Sequence, residues 1–209
     1  MNRLDPVRAS SYGQEWSLTP VDRLGVWLSG RSIRAATGSV KGSTLGDFGA
    51  GFEARITRSL LPQLKHAVVV DLSISDDLQR EPKVTVVEGQ LPAVMSKVAD
   101  SSLDVALCIS VLEHLWEPEL MLAELYRVLR TGGTCIVSVP TWQGKRFLEL
   151  SAFRLGLSPA EEMDDHKTYY DPKDLWPLLV RAGFVPHAIR CRRHKLGLNT
   201  LAVCQKEQP

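Results

Sequence analysis

The feature that most constrains this chain is an alternation of short apolar runs with segments of helical pattern. Strands are predicted at 44–48, 67–71, 84–88, 103–109 and 133–139, and helices at 19–37, 52–64 and 117–130. Continuous runs such as Val105-Ala106-Leu107-Cys108-Ile109 suit strands buried on both faces. Alternation of this kind indicates a mostly parallel sheet covered by helices. We therefore predict a doubly wound α/β fold.

The carboxyl-terminal part adds a helix and a predicted hairpin. A helix is expected at 172–182, and strands at 184–192 and 198–204 flank the turn His194-Lys195-Leu196-Gly197. Two strands this close predict an antiparallel edge to the sheet. For 209 residues we expect one domain over 1–209, with a helical lead-in at 1–40 and a lid at 141–170. For 141–168, ordinary packing onto the sheet, a dimer face and a dock for a lipid-linked molecule are the alternatives.

Charge and cysteine usage exclude several classes of function. Lysine plus arginine (25) nearly equals aspartate plus glutamate (24), so no overall field favours nucleic acid or an anionic membrane. No stretch approaches the roughly 18 apolar residues of a membrane span, and the first residues lack a secretory core, so a cytoplasmic protein is expected. The four cysteines lack Cys-x-x-Cys spacing, which favours buried thiols over a metal site.

A glycine-rich turn points to a nucleotide cofactor. Gly49-Ala50-Gly51-Phe52-Glu53-Ala54 fits the G-x-G-x-x-G/A pattern, and Asp71 ends the next predicted strand about twenty residues later. No arginine follows Asp71, which suits free ribose hydroxyls. The alternative is a tight turn without ligand and a helix cap at Asp71. The glycine turn and Asp71 together favour an adenosine-containing cofactor.

Five segments, taken in order, resemble the class I S-adenosylmethionine-dependent methyltransferases, in the small-molecule branch of type 11 or type 23. The resemblance covers roughly residues 40 to 140 and implies a seven-stranded, mostly parallel sheet with a carboxyl-terminal antiparallel hairpin. It also implies S-adenosylmethionine as cofactor and S-adenosylhomocysteine as product. The segments are Leu45 to Gly51, Asp71, Ser101-Ser102-Leu103-Asp104-Val105, Ser110-Val111-Leu112-Glu113-His114-Leu115 and Leu129-Arg130-Thr131-Gly132-Gly133.

The resemblance also assigns roles to cofactor-binding residues. It assigns residues to four parts of the cofactor: the methionine portion, the ribose, the adenine and the sulfonium. Tyr12 begins a Tyr-x-x-Trp lead-in that can cover the cofactor. Glu53 departs from the pattern, because it puts a negative charge near the expected methionine carboxylate. The assigned residues are Asp47, Gly49 and Gly51 for methionine, Asp71 with Leu72 for ribose, Gly89, Gln90 and Leu91 for adenine, and Ser110 and Val111 near the sulfonium.

Methyl transfer needs positioning and exclusion of water more than a covalent nucleophile. An oxygen or nitrogen acceptor can be helped by a base, and histidine has a suitable pKa. We expect His166 to accept the proton, with Tyr169 lining the site and His114 as the second candidate. The alternatives are a capping histidine at His114 and a polar loop around His166.

The acceptor and the wider function stay open at this stage. A small molecule or a glycan is expected, and nucleic acid is not. The basic run 190–195 is typical of a solvated edge strand, with phosphate binding as the alternative. RNA 3′-end methyltransferases carry a Glu-x-x-Glu-His metal motif, but Ser110 stands at its first position, so no metal is expected. An NAD-dependent oxidoreductase and a non-catalytic module are the competing functions.

Overall fold

The computed structural model describes residues 10–14, 20–146 and 166–208, and for 20–24 the backbone alone. Within these residues the helices are α1 (Pro20–Thr37), α2 (Arg55–Leu60), α3 (Asp76–Gln79), α4 (Pro118–Val128) and α5 (Pro172–Arg181). The strands are β1 (Thr44–Phe48), β2 (His66–Asp71), β3 (Val84–Glu88), β4 (Leu103–Ile109), β5 (Leu129–Pro140), β6 (Ile189–His194) and β7 (Asn199–Gln205). Short 3₁₀ turns lie at Ala93–Lys97, Leu112–His114 and Pro186–Ala188.

All seven strands form one sheet in the order β3-β2-β1-β4-β5-β7-β6. The pairs among β3, β2, β1, β4 and β5 are parallel, whereas β7 runs antiparallel to both β5 and β6. The predicted α/β fold with its antiparallel hairpin is therefore confirmed. Because the chain order reverses between β1 and β4, the carboxyl ends of these strands open a crevice where ligands of such sheets bind.

The sheet is buried on both faces, as its apolar runs predict. Along β4, Ala106 and Cys108 pack into the core layer that contains α4 and α5 residues, whereas Val105 and Leu107 pack into the opposite layer beneath α1, α2 and α3. Alternate residues of one strand thus serve two cores. The central strands are therefore mostly apolar, and the acids Asp71 and Glu88 lie at the ends of β2 and β3.

Some element boundaries differ from those predicted. The first strand of the hairpin starts at Ile189 rather than 184, because Gly183 at φ +113° and the 3₁₀ turn at Pro186–Ala188 take up the preceding residues. Helix α2 is shorter than the predicted 52–64, since Ala54 adopts a left-handed conformation with φ +40°. Strand β5 begins at Leu129, which pairs with Leu103 before a register shift.

Among the described residues, no helix combines the length and the apolar content that crossing a bilayer requires. The cytoplasmic location stays a prediction.

Candidate active site

The glycine turn after β1 lies in the crevice and presents bare main chain. Gly49 and Gly51 have φ of +80° and +73°, which glycine adopts without strain. The Gly49 N–H donates to the carbonyl of Val70 at 2.8 Å, which fixes the turn to β2. A Cβ atom on Gly49 would lie 2.2 Å from Cγ2 of Val111. The turn therefore meets the segment after β4 with no room for a side chain.

Asp71 lies at the end of β2 and its carboxylate faces the glycine turn. The N–H of Gly51 donates to Oδ2 at 2.8 Å, and the N–H of Leu72 donates to Oδ1 at 2.8 Å. The Ser11 hydroxyl lies 2.5 Å from Oδ1 and also accepts a bond from the N–H of Ser73 at 2.7 Å. Ser11 is a contact that the sequence analysis missed, because a serine in a polar lead-in carries no recognisable signal.

The amino-terminal turn around Tyr12 packs against the same loop. The carbonyl of Tyr12 accepts a hydrogen bond from the N–H of Phe52 at 3.0 Å, and a Cβ on Gly51 would lie 3.2 Å from that carbonyl oxygen. The structure thus packs Tyr12 against the glycine turn, and its contact with the cofactor stays a prediction. Trp16, the other end of the lead-in motif, lies outside the described residues.

Asp47 lies below the turn rather than on its surface. Its side chain is buried, and Oδ2 accepts a hydrogen bond from the Thr57 hydroxyl at 2.6 Å. Burial raises the pKa of Asp47 to about 6, the Thr57 hydrogen bond opposes this rise, and the nearby charge of Asp71 adds to it. This carboxylate is held at a cost in a position directly beneath the main chain that faces the crevice.

The charge of Glu53 is balanced by Arg58. The Arg58 guanidinium lies 3.5 Å from the Glu53 carboxylate, donates to the Glu53 carbonyl at 2.7 Å, and also pairs with Asp77. The departure from the family pattern is therefore accommodated by an arginine in the last turn of α2.

The segment after β3 borders Asp71 on the other side. The N–H of Gly89 donates to the Asp71 carbonyl at 3.0 Å, and a Cβ on Gly89 would lie 2.8 Å from Val94. Gln90 is exposed and Leu91 is partly buried. These three residues lie at the same edge as Asp71, where the resemblance assigns the adenine.

A second group of polar residues follows β4. Ser110 has a left-handed φ of +57°, and its N–H donates to Ser138 of β5 at 2.8 Å. The turn Leu112–His114 comes next, with Glu113 buried and His114 partly buried. Left-handed backbone at a non-glycine residue is strained and is concentrated at functional sites.

Residues 166–170 cross the carboxyl edge of the sheet and bring His166 to this turn. The Glu113 carbonyl accepts the N–H of Lys167 at 2.6 Å, and Pro140 accepts the N–H of Tyr170 at 3.0 Å. As a result, the ring centroids of His114 and His166 are 4.8 Å apart. Nδ1 of His166 lies 3.1 Å from the Tyr169 hydroxyl. The structure therefore unites both histidines and Tyr169, which the sequence analysis proposed separately.

Two further titratable groups at this edge were not expected. Burial raises the pKa of Glu113, against the effect of His114 and Lys195, and burial lowers the pKa of Lys195 to about 8. The basic run is thus only partly solvated. Arg190, Arg192 and Arg193 are exposed on edge strand β6, whereas Lys195 turns toward Glu113's side of the sheet and His194 is buried.

An open cavity of about 670 Å³ is lined by Trp142, Gln143, Lys145 and Arg146. One of its lining residues, Trp142, lies 5.5 Å from the ring of Tyr169, which contacts His166. Most of the predicted lid, residues 147–165, lies outside the described residues.

Comparison with known proteins agrees with this geometry. A family model described as a methyltransferase domain matches residues 46–137. A "probable S-adenosylmethionine-dependent methyltransferase" of Mycolicibacterium smegmatis is 32% identical over 108 residues, which is 50% of this chain and 37% of that protein. One of Mycobacterium tuberculosis with the same description is 27% identical over 144 residues, 68% of this chain and 47% of that protein. The chain thus spans less than half the length of these relatives.

Solved structures share the fold. An S-adenosylmethionine-dependent methyltransferase of Mesorhizobium loti superposes with a TM-score of 0.61 at 14% identity, covering 84% of this chain and 96% of its own. An O-methyltransferase family protein of Burkholderia thailandensis gives 0.63 at 18% identity, with 90% and 59% covered.

Together, the sheet order, the glycine turn with its acid and these matches support a class I S-adenosylmethionine-dependent methyltransferase domain over residues 46–137. This agrees with the predicted family, and S-adenosylmethionine is the cofactor that such domains use. The matches favour this class over an NAD-dependent oxidoreductase.

Proposed function

We propose that this chain transfers the methyl group of S-adenosylmethionine to an oxygen or nitrogen atom of a small-molecule or glycan acceptor. One observation carries the proposal. At the carboxyl edge of the sheet, the glycine turn with Asp71 (the first, or cofactor, wall) touches the segment Ser110–His114 (the second, or acceptor, wall) at Gly49 and Val111. Bare main chain beside a carboxylate suits a nucleoside, and histidines on the opposite wall suit an acceptor.

Cofactor binding is shared by the first wall, the segment after β3, the start of the second wall and the amino-terminal turn. Asp71 holds the ribose hydroxyls with Leu72 beside it, and Asp47, Gly49 and Gly51 serve the methionine portion. Gly89, Gln90 and Leu91 border the adenine, Ser110 and Val111 border the sulfonium, and Tyr12 covers the bound cofactor.

The proposed catalytic residues are His166 and His114, which act on the acceptor atom. Their support is the 4.8 Å separation of their rings and the backbone bond that ties residue 167 to Glu113. The role of His166 as proton acceptor stays a prediction. The cavity beside Trp142 is large enough for a small acceptor, and its position next to Tyr169 supports entry from that side.

The test is binding of S-adenosylhomocysteine by calorimetry to the purified chain and to D71A. Loss of hydrogen bonds to a charged partner should weaken binding by roughly 1 to 3 kcal/mol. The matched control is D76N, because Asp76 carries an exposed carboxylate at the start of α3. Unchanged affinity in D71A would remove Asp71 from the site.

The same titration with NAD separates the competing function. Binding of NAD without binding of S-adenosylhomocysteine would overturn the proposal. The acceptor is then sought by incubating the chain and labelled S-adenosylmethionine with cell extract, with D71A as the blank. A labelled product that D71A forms equally well would belong to another enzyme in the extract.

A further inference from the structure

Three potential metal ligands meet at the acceptor wall of the crevice. Glu113, His114 and His166 each offer one ligand atom, and these atoms all lie within 4.8 Å of one another. Two come from a single 3₁₀ turn, and the third comes from the segment that crosses the sheet edge. The backbone bond from Lys167 to Glu113, at 2.6 Å, fixes the third ligand beside the first two.

The Glu113 carboxylate supplies a second and independent observation. The residue is 1% exposed, and its Oε2 atom has no hydrogen-bond partner among the described residues. A buried carboxylate oxygen without a donor is costly unless a positive group lies against it. The Ser110 side chain hydrogen-bonds the carboxylate group, but Oε2 keeps no donor. The charged or titratable groups that act on the carboxylate are His114, Lys195, Cys108 and Tyr170.

We infer that Glu113, His114 and His166 bind one divalent transition-metal cation. Two imidazoles and one carboxylate form a donor set that suits Zn²⁺, Co²⁺ or Mn²⁺ better than Ca²⁺ or Mg²⁺, which prefer oxygen ligands. Metal–ligand bonds of about 2.0–2.2 Å require the three atoms to approach more closely than 4.8 Å, so binding of the cation entails a rearrangement of these side chains.

The three ligands leave positions open for the acceptor. The cation would polarise an acceptor oxygen on the wall that faces the proposed methyl group, so this role rests on the proposed function, although binding of the cation itself does not. The sequence analysis expected no metal because Ser110 lacks a carboxylate. The fold supplies His166 instead. With a cation bound, His114 and His166 both act as ligands, and the cation lowers the pKa of the acceptor hydroxyl so that its proton passes to solvent.

The experiment is a titration of the metal-stripped chain with Co²⁺, followed by visible absorption and calorimetry, with Zn²⁺ and Mn²⁺ as competitors. One Co²⁺ per chain is expected, with a visible absorption band. Affinity should fall about tenfold or more in E113Q and in H166N, a size that even outer-shell partners of a metal reach. H187Q is the matched control, because His187 is an exposed histidine paired with Glu207.

Retained S-adenosylhomocysteine binding in E113Q and H166N shows that these variants are folded. If either fails to fold, H166Q and E113D take its place. The inference is overturned if the wild-type chain binds no Co²⁺ at millimolar concentration, or if E113Q and H166N bind it as H187Q does. Failure of S-adenosylhomocysteine binding with intact Co²⁺ binding would instead count against the proposed function alone.

Discussion

Replacement of Asp47 by asparagine should stabilise this protein at neutral pH. The Asp47 carboxylate is 2% exposed and has one hydrogen bond, from Thr57 at 2.6 Å, while the charge of Asp71 lies nearby. D47N keeps the shape and an oxygen to accept the Thr57 bond but removes the buried charge. The expected gain is the cost of ionising this group in the folded chain.

The size and sign of this stability change follow from the pKa of Asp47. Burial raises the pKa of Asp47 from an ordinary 3.8 to about 6. At about 1.4 kcal/mol per unit, this shift corresponds to about 3 kcal/mol. Because the folded chain binds the proton more tightly than the unfolded chain, its stability falls as pH rises from about 4 through 6. The cost is fully present above that range and vanishes below the unfolded pKa.

The assay is urea unfolding of wild type and D47N at several pH values between 4 and 8. The difference in unfolding free energy should be near its minimum at pH 4 and grow to about 3 kcal/mol at pH 8. D76N, which removes an exposed carboxylate, should show no such growth. A difference that stays constant with pH, or a D47N that is less stable at pH 8, would refute the burial argument. D47N should also bind S-adenosylhomocysteine more weakly.

Two further changes test the backbone of the site. G49A should lower the unfolding free energy by about 2–4 kcal/mol, since it adds strain at φ +80° and a Cβ 2.2 Å from Val111. In urea unfolding, adding V111A to G49A should recover only the part of this loss that comes from the clash with Val111. If V111A recovers no stability, the contact between these two positions is refuted. L196G should raise the melting temperature by the equivalent of about 1 kcal/mol, because Leu196 has φ +58° and is 96% exposed, so relief of strain costs no packing. A lower melting temperature for L196G would show that this turn is not strained.

The cofactor wall could be predicted because its signals are local. Gly49 and Gly51 mark positive φ, and Asp71 ends an apolar run, so residue type and position together state the backbone conformation and the strand end. The α/β class of the sheet was predictable for the same reason, since continuous apolar runs report burial on both faces. None of these inferences required knowledge of a contact between distant segments.

The acceptor wall depends on contacts between segments that are distant in the sequence. His166 reaches His114 through a backbone bond between Lys167 and Glu113 that leaves no trace in residue type. Lys195 belongs to a run that reads as a solvated edge, and its burial became visible only with the hairpin in place. The hydroxyl of Ser11 near Asp71 is a third case. Polar residues on loops are placed by the fold, and periodicity does not describe loops.

One physical argument applies to both buried carboxylates, Asp47 and Glu113. Asp47 lies under the cofactor wall and Glu113 lies in the acceptor wall, and each is almost fully withdrawn from water without an ion pair among the described residues. A chain selected for stability alone would gain by replacing them, as the D47N argument shows. A cation bound beside a buried carboxylate recovers the cost of desolvation, and a ligand that binds only the folded state stabilises it in proportion to its affinity. The proposed partners are both positive: the sulfonium and ammonium of S-adenosylmethionine at the first wall, and a divalent cation at the second. The fold thus holds both carboxyl groups in place before their ligands arrive, which lowers the reorganisation needed when the ligands bind.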